Sequence, residues 1–396
     1  MLPKGVSYAD RFDGITGSAI RAIFKVLTRP DIISFAGGNP SNDALPHELC
    51  ADIAREVLLS DGKRILQYGA TEGYPPFLES LREYIAGNYD FPVEKKNILP
   101  LSGSSQGVDL ICKAFLNPGD TVLVESPTFL GNMQTLRLYQ QKLVPMESDD
   151  DGLMTGALEE AVKKHKPKAL YCIPTFQNPS GRTLSADRRR VIAEMASEYG
   201  FLVMEDDPYR DLRYEGQAQP SVKHFDKCGH VVYMGSFSKL ISPGMRVGYM
   251  VAEEEIIQKC AIGKQGTDLH TANLSQAVVD LFLRRGLLDP HIREIIPGYR
   301  DKLNAMLDEL ASFPEGTRYT HPEGGLFIFV TMPEGFDATE VFKEAVERGV
   351  AYVPGESFYP GGGHRNTLRL NFSNSTLSQI HEGMPILREL FASKLR

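Results

Sequence analysis

Residues 231–239 of this chain read VVYMGSFSK, and residues 242–249 read SPGMRVGY. The apolar run at the start is typical of a buried β-strand, and the loop after it combines small hydroxyl side chains with Lys239. A partly desolvated lysine loses its proton more easily and becomes a nucleophile, so Lys239 is suited to forming a Schiff base. Taken alone, the same residues would also suit a Ser/Lys turn at the surface.

Hydroxyl groups and an arginine flank this lysine in the sequence. Ser236 and Ser238 precede it, and Arg246 follows seven residues later. Hydroxyl groups donate hydrogen bonds to phosphate, and a planar guanidinium can bind it through two parallel bonds. A reactive lysine beside a phosphate site is what pyridoxal 5′-phosphate (PLP) requires, so the stretch favours this cofactor.

Two further strand-like runs end in polar loops. Residues 201–209 read FLVMEDDPY, and residues 169–181 read ALYCIPTFQNPSG. In open α/β sheets, ligands bind beyond the carboxyl ends of the strands. Asp206 could then keep a pyridine nitrogen protonated, while Tyr209 and Asn178 bond to the ring oxygen. Each loop by itself is also a common way to end a strand.

A fourth segment, residues 101–115, reads LSGSSQGVDLICKAF. It is a glycine/serine loop that runs into an amphipathic helix. Free N–H groups at a helix start attract phosphate, which makes Gly103, Ser104 and Ser105 candidate ligands. The segment matches neither the P-loop nor the dinucleotide-binding pattern.

The order of these segments predicts an α/β protein in which apolar strands alternate with amphipathic helices. We expect a large domain over residues 43–289, with a mainly parallel sheet flanked by helices and strands at 122–125, 169–173, 201–205, 231–235 and 248–252. Residues 1–42 are predicted to form an arm with a helix at 20–28, and to add part of a small domain. Residues 290–396 are predicted to form that smaller α/β domain, with helices at 291–311, 339–348 and 379–392 and strands at 325–331 and 367–372.

Together, the four segments resemble the fold-type I PLP enzymes, specifically the class I/II aminotransferases. The resemblance covers nearly the whole chain. Residues 368–372, LRLNF, resemble the family segment that carries the arginine for the substrate α-carboxylate. Residues 18–21 (SAIR), 33–40 (ISFAGGNP) and 66–69 (LQYG) resemble the 2-aminoadipate/kynurenine aminotransferase branch.

The resemblance implies a role for each matching residue. Lys239 would carry PLP and later move a proton at the substrate Cα, Asp206 would pair with the pyridinium, and Tyr209 and Asn178 would bond the ring oxygen. The phosphate ligands would be Gly103, Ser104, Ser105, Ser236, Ser238, Arg246 and, from a neighbouring subunit, Tyr68. Phe129 would stack on the ring, although relatives often carry tyrosine there. Arg369 would bind the substrate α-carboxylate, and Asn178 and Gly38 would also contact the substrate. Arg21 would bind the carboxylate at the far end of an acidic substrate side chain.

The resemblance therefore implies a homodimeric PLP-dependent aminotransferase with shared active sites and ping-pong kinetics. The amino donor would be 2-aminoadipate, an aromatic or a branched-chain amino acid, and the acceptor a 2-oxo acid such as 2-oxoglutarate. A β-lyase or a decarboxylase could use the same residues, because the bond that breaks depends on the geometry at Cα. A PLP-binding transcription regulator is a further alternative. The acidic net charge argues against it, and so does the start of the enzyme-like part of the chain within the first few dozen residues.

Composition sets broad limits on function. The 396 residues include 43 Lys or Arg and 51 Asp or Glu, and the net charge of −8 argues against nucleic acid as a partner. Five scattered cysteines predict free thiols in the cytoplasm. No apolar run of membrane-spanning length or signal-peptide type is visible, and the histidines lack metal-binding spacing. Residues 188–190, RRR, are predicted to lie on the exposed side of a helix that begins near Ser185.

Overall fold

The structure, a computed structural model, describes residues 3, 6–12, 15 and 31–395. The predicted helix at 20–28 and the candidate residue Arg21 lie outside these residues, so the predictions made for them stay predictions. Within the described part of the chain, no helix combines the length and the apolar character that crossing a bilayer requires.

The main element is an eight-stranded sheet in the order β2-β9-β8-β7-β6-β3-β4-β5. The pairings that join β8, β7, β6, β3 and β4 in turn are all parallel, whereas β9 runs antiparallel to both β2 and β8. The strands of this sheet are β2 Ile98–Leu101, β3 Thr121–Ser126, β4 Lys142–Asp149, β5 Gly152–Leu153, β6 Ala169–Cys172, β7 Leu202–Asp206, β8 Val231–Ser236 and β9 Gly248–Val251. The predicted α/β class and the mainly parallel sheet are confirmed.

Helices cover this sheet and continue into the C-terminal part of the chain. Apart from short 3-10 turns, the described residues form α1 His47–Ile65, α2 Pro75–Asn88, α3 Ser105–Phe115, α4 Leu130–Leu138, α5 Leu158–His165, α6 Ala186–Tyr199, α7 Val222–Phe225, α8 Glu254–Gln265, α9 Asn273–Arg284, α10 Leu288–Leu310, α11 Ala338–Glu347 and α12 Leu377–Lys394. The central strands are buried along their length because helices lie on both faces, which explains their continuous apolar runs.

The C-terminal part contains a second, antiparallel sheet in the order β10-β11-β14-β13. Its strands are β10 Arg318–Tyr319, β11 Phe327–Thr331, β13 Val353–Pro354 and β14 Thr367–Asn371. A separate parallel pair joins β1 Ile33–Ser34 to β12 Val350–Ala351, so the chain before residue 42 contacts the C-terminal part. The division at residues 42 and 289 stays a prediction.

The prediction for the three consecutive arginines is wrong. Helix α6 begins after Ser185 as expected, but Arg189 has no exposed surface. Its guanidinium donates to the carbonyl oxygens of Leu184, Pro174 and Pro220 at 2.8, 2.7 and 3.1 Å. Successive helical residues are rotated by about 100°, so the middle arginine of the three can face the protein interior while Arg190 faces solvent.

Candidate active site

The candidate residues lie at one edge of the large sheet, where four of its strands end. The parallel strands β3, β6, β7 and β8 all end there, and the loops that follow them carry Phe129, Asn178, Tyr209 and Lys239. A cavity of about 380 Å³ lies at this edge, where α/β sheets commonly bind ligands. The predicted residues that line it are Gly38, Gly103, Ser104, Ser105, Phe129, Asn178, Asp206, Tyr209, Ser236, Ser238, Lys239, Arg246 and Arg369.

Tyr68 is the described candidate that does not line this cavity. Its side chain is 80% exposed, and its ring meets the edge of the His270 ring at 6.3 Å between centroids. The predicted contact of Tyr68 with a phosphate group would therefore have to be made in another chain. That contact stays a prediction.

Lys239 is a partly buried lysine that lines the cavity. Its Nζ donates a hydrogen bond to the carbonyl oxygen of Gly38 at 2.7 Å. Burial lowers the pKa of Lys239 to about 8, and the positive charges of Arg369 and Arg246 act in the same direction. A lowered pKa makes the neutral, nucleophilic amine accessible near neutral pH.

Asp206 lies at the end of β7, and hydrogen bonds hold one of its two carboxylate oxygens. Its Oδ2 accepts hydrogen bonds from Tyr171 Oη at 2.9 Å and Asn132 Nδ2 at 3.1 Å. Its Oδ1 is buried, and no group of the described residues bonds to it. Burial raises the pKa of Asp206 to about 6, against the hydrogen bonds from Tyr171 and Asn132 that favour the ionised form. The Oδ1 of Asp206 is thus a buried acceptor that lacks a donor. Because Asp206 lines the cavity, a bound ligand could supply that donor.

Tyr171 and Asn132 were not predicted to support the site. Asn132 Nδ2 also donates to Tyr171 Oη at 2.8 Å, so the two side chains and Asp206 form a closed buried group. Tyr171 lies within an apolar strand run and Asn132 near the start of α4, which made them look like a core residue and a helical residue. A polar group on an otherwise apolar strand next to a candidate loop is the signal that could have found Tyr171.

Arg369, on β14, forms the wall of the cavity opposite the large sheet. Its Nη1 donates to Asn178 Oδ1 at 2.8 Å, and its Nη2 donates to the carbonyl oxygens of Ala36 and Gly37 at 2.8 and 2.9 Å. Its Nε is buried, and none of the residues 31–395 accepts a hydrogen bond from it. Burial lowers the pKa of Arg369 to about 10, which still leaves it cationic at neutral pH. The guanidinium is a fixed cation that can bind a carboxylate.

Tyr209 and Asn178 connect the two sides of the cavity. Tyr209 is buried and packs edge-to-face on Phe327, with 5.8 Å between the ring centroids, and Asn178 accepts from Arg369 Nη1 at 2.8 Å. Burial raises the pKa of Tyr209 above its ordinary value, so the phenol stays protonated and can donate to a ligand oxygen.

Hydroxyl groups, free N–H groups and a cation meet at one end of the cavity. Ser104 and Ser105 stand at the start of helix α3, and Arg246 faces them with its Nη2 bonded to the carbonyl oxygen of Ser102 at 2.8 Å. Gly103 has a φ of +90°, and a Cβ there would overlap the Arg246 guanidinium. The end of the cavity therefore combines the three kinds of group that bind phosphate.

Apolar side chains that the sequence did not single out complete the lining. Leu130, Val353 and Phe358 line the cavity together with Phe129. Phe358 lies beneath the Arg369 guanidinium, with 5.2 Å between the guanidinium carbon and the ring centroid. A ligand bound to Arg369 would therefore meet an apolar surface with the rest of its body.

These residues fit PLP. The Oδ1 of Asp206 suits a pyridinium N–H, the serine and arginine end suits a phosphate, and Lys239, which lines the same cavity, suits an aldehyde. Within the described residues, no cluster of three or more His, Cys, Asp or Glu side chains is arranged to hold a metal ion.

Comparison with known proteins identifies relatives over almost the full length of the chain. The family model described as "Aminotransferase class I and II" matches residues 30–386. Aromatic-amino-acid aminotransferase 1 of Thermococcus litoralis is 40% identical over 395 residues, which cover 98% of this chain and 95% of that protein.

Two solved structures are similar in sequence and in fold, and each covers 98% of both chains. The kynurenine aminotransferase of Pyrococcus horikoshii, in complex with PMP, KYN as substrates and KYA as products, is 41% identical with a TM-score of 0.94. The α-aminoadipate aminotransferase of Thermus thermophilus, complexed with N-(5′-phosphopyridoxyl)-L-leucine, is 36% identical with a TM-score of 0.91.

Proposed function

Because the chain belongs to the family of class I and class II aminotransferases and is a PLP-dependent aminotransferase, we propose that its amino donors are 2-aminoadipate and aromatic or branched-chain L-amino acids. We propose 2-oxoglutarate as the acceptor. Support for these donors comes from the relatives, whose names include aromatic amino acids, kynurenine and aminoadipate.

One observation carries the proposal for the site. Lys239, Asp206 with its unpaired Oδ1, and Arg369 line the same cavity. An amino acid held by Arg369 through its α-carboxylate would have its Cα near Lys239, because Arg369 is close enough to Lys239 for its charge to act on the amine. The cavity therefore combines a nucleophile (Lys239), an ionised partner for a ring nitrogen (Asp206) and a cation that binds a carboxylate (Arg369).

Bound PLP supplies an aldehyde that bonds to amino groups and a ring that accepts electrons from Cα. Lys239 would hold the cofactor and, as a free amine, would move the proton at the substrate Cα. Asp206, held by Tyr171 and Asn132, would be the ionised partner of the ring nitrogen. Tyr209 and Asn178 would hold the ring oxygen, and Phe129 would pack on the ring. The phosphate would be held by Gly103, Ser104, Ser105, Ser236, Ser238 and Arg246.

The substrate side of the cavity is assigned by charge and by apolar surface. Arg369, with Asn178 and Gly38 beside it, holds the α-carboxylate, and the lining of Leu130, Val353 and Phe358 receives an apolar side chain. For an acidic side chain we keep Arg21 as the proposed partner. Arg21→Ala should then lower kcat/KM for 2-aminoadipate much more than for leucine, because only the acidic donor leaves a carboxylate unpaired.

A donor panel with 2-oxoglutarate, read by glutamate formation, tests the function. We expect turnover with 2-aminoadipate and with aromatic or branched-chain donors, and parallel lines in double-reciprocal plots as ping-pong kinetics require. Release of carbon dioxide or pyruvate without glutamate formation would instead identify a decarboxylase or a β-lyase. Equal effects of Arg21→Ala on both kinds of donor would remove Arg21 from substrate recognition.

We also propose a homodimer with shared active sites, in the cytoplasm. Tyr68, Leu66 and Leu269 expose 80%, 74% and 43% of their surfaces, and residues 67–69 lie against 270–273. Such a group of exposed apolar side chains suits a second copy, which would receive Tyr68 at its phosphate site. All five cysteines are free thiols, in keeping with a reducing compartment.

A further inference from the structure

Lys264, in helix α8, is a buried cation that does not line the active-site cavity. Its side chain has no exposed surface. The ammonium donates to both carboxylate oxygens of Asp268, at 3.0 and 2.9 Å, and to Oε1 of Gln106 at 2.7 Å. Burying a lysine is costly, and it is tolerated here because the ammonium has an ionised partner and a full set of acceptors.

The partners of Lys264 lead directly to the loop that precedes helix α3. We call residues 102–105 the serine loop. Asp268 Oδ2 accepts from Ser102 Oγ at 2.7 Å and from Gln106 Nε2 at 2.8 Å, and Gln106 Oε1 accepts from the Ser102 amide at 2.8 Å. Ser102, the first residue of the serine loop, is thus fixed through both its amide and its hydroxyl.

The carbonyl oxygen of Ser102 continues the network into the cavity. It accepts from Arg246 Nη2 at 2.8 Å, and the next residue, Gly103, packs so closely on this guanidinium that it has no room for a Cβ. The serine loop and Arg246 are both candidate phosphate ligands. Every polar group of Ser102 therefore bonds either to the buried network or to the facing phosphate ligand.

We propose that Lys264, Asp268 and Gln106 are positioning residues for the cofactor phosphate. They hold the serine loop and, through Ser102, Arg246 in the geometry that receives the phosphate, so that binding requires little rearrangement. The proposal rests on the assignment of the serine loop and Arg246 to the phosphate. None of the three side chains is required to touch the cofactor.

The test compares the affinity of the cofactor-free full-length chain for PLP and for pyridoxal, which lacks the phosphate. Outer hydrogen-bond partners of ligand-binding groups are commonly worth about 10- to 100-fold in affinity at metal sites, and we expect Lys264→Met to weaken PLP binding by about tenfold or more. Affinity for pyridoxal should not change.

Lys223→Met is the matched control. Lys223 also pairs with a buried aspartate, Asp226, at 2.8 Å, but this pair has no bond to the serine loop. We expect its ratio of PLP to pyridoxal affinity to equal that of the unmodified chain. Equal losses for both ligands in Lys264→Met, or a ratio like that of Lys223→Met, would overturn the proposal.

Two further variants keep the test decisive. Ser102→Ala removes one hydroxyl from the network without leaving a buried charge unpaired, and it should also weaken PLP selectively even if Lys264→Met does not fold. An unchanged affinity ratio in Ser102→Ala would count against the proposal. The double variant Ser104→Ala/Ser105→Ala tests the phosphate assignment itself: if it weakens PLP selectively while Lys264→Met does not, the site stands and the positioning role fails.

Discussion

At the scale of single residues, the surroundings of Asp206 argue for its role. One carboxylate oxygen accepts from Tyr171 and Asn132, and the other is buried with no donor in the part of the chain that the structure describes. A bound pyridinium would supply that donor and would favour the ionised form of a carboxyl whose pKa burial otherwise raises to about 6. The unpaired acceptor and the raised pKa point to the same cationic partner.

Replacing Asp206 with alanine should leave the chain folded and remove the ionised partner of the bound pyridinium. One preorganised electrostatic partner is commonly worth about 10²–10³ in turnover, and we expect kcat to fall by at least that much. Steady-state kinetics on cofactor-loaded protein, with thermal unfolding as the control for folding, measures the effect. Near-normal turnover would transfer the role to the neighbouring Asp207 or discredit the site.

The lowered pKa of Lys239 predicts how the cofactor-free chain captures PLP at different pH values. Only the neutral amine attacks an aldehyde, so the rate of capture should increase as pH rises and level off above about 8. Stopped-flow absorbance of PLP addition gives this profile.

The positive charge of Arg369 helps to lower the pKa of Lys239, so removing that charge should shift the profile. We expect Arg369→Met to move the midpoint to higher pH. A midpoint near the ordinary lysine value of about 10.4 in the unmodified chain would show that Lys239 is not desolvated.

At the scale of elements, helix α6 depends on one buried arginine. Arg189 donates to three backbone carbonyl groups, which lie just after β6, before α6 and before α7. Removing one member of a buried charged group commonly costs about 3–5 kcal/mol, because the remaining groups stay buried and unpaired. Arg189→Met should lower the free energy of unfolding by an amount of this order, measured by denaturant titration.

The adjacent Arg190 provides the matched control for this prediction. Its side chain is 50% exposed and pairs with Asp187 on the helix surface. Arg190→Met should change the free energy of unfolding by less than about 0.5 kcal/mol. Equal effects at the two positions would contradict the structural role given to Arg189.

The elements themselves were largely predictable from the sequence, and their surroundings were not. The strands at 122–125, 169–173, 201–205 and 231–235 each agree with an observed strand to within one or two residues. An apolar run identifies a strand, but it does not say in which direction the strand runs, so the antiparallel β9 could not be told from its parallel neighbours. Burial of Arg189 depends on carbonyl groups far away in the chain, which local periodicity does not record.

The same limit applies to the candidate site. Loops that follow strands were recognised because parallel strands bring their ends to one edge, and thirteen of the predicted residues line one cavity. Leu130, Val353 and Phe358 were missed because apolar residues in a sequence look the same whether they face a core or a ligand. Lys264 was missed for a related reason, since a lysine in an amphipathic helix is expected at the surface.

At the scale of the whole molecule, the exposed Tyr68 predicts an assembly with shared sites. We expect sedimentation to give a dimer at assay concentrations, and Tyr68→Ala to weaken PLP binding. An active monomer would contradict the proposal.

Hybrid dimers test the sharing directly. Mixing the inactive Lys239→Ala chain with Tyr68→Ala chains should produce heterodimers in which one site carries both changes and the other carries neither. Activity should therefore rise above the sum of the two separate preparations after subunit exchange. No gain on mixing, with exchange verified by mass, would mean that Tyr68 does not act in the partner's site.

The central claim is that Lys239 is the residue that carries the cofactor. Borohydride reduction of the PLP-loaded protein fixes the cofactor to whichever lysine holds it, and peptide mass mapping then locates the label. We predict a pyridoxyl group on Lys239 and on no other lysine. A label on a different lysine, or none in protein shown to be loaded, would contradict the assignment of this cavity as the active site.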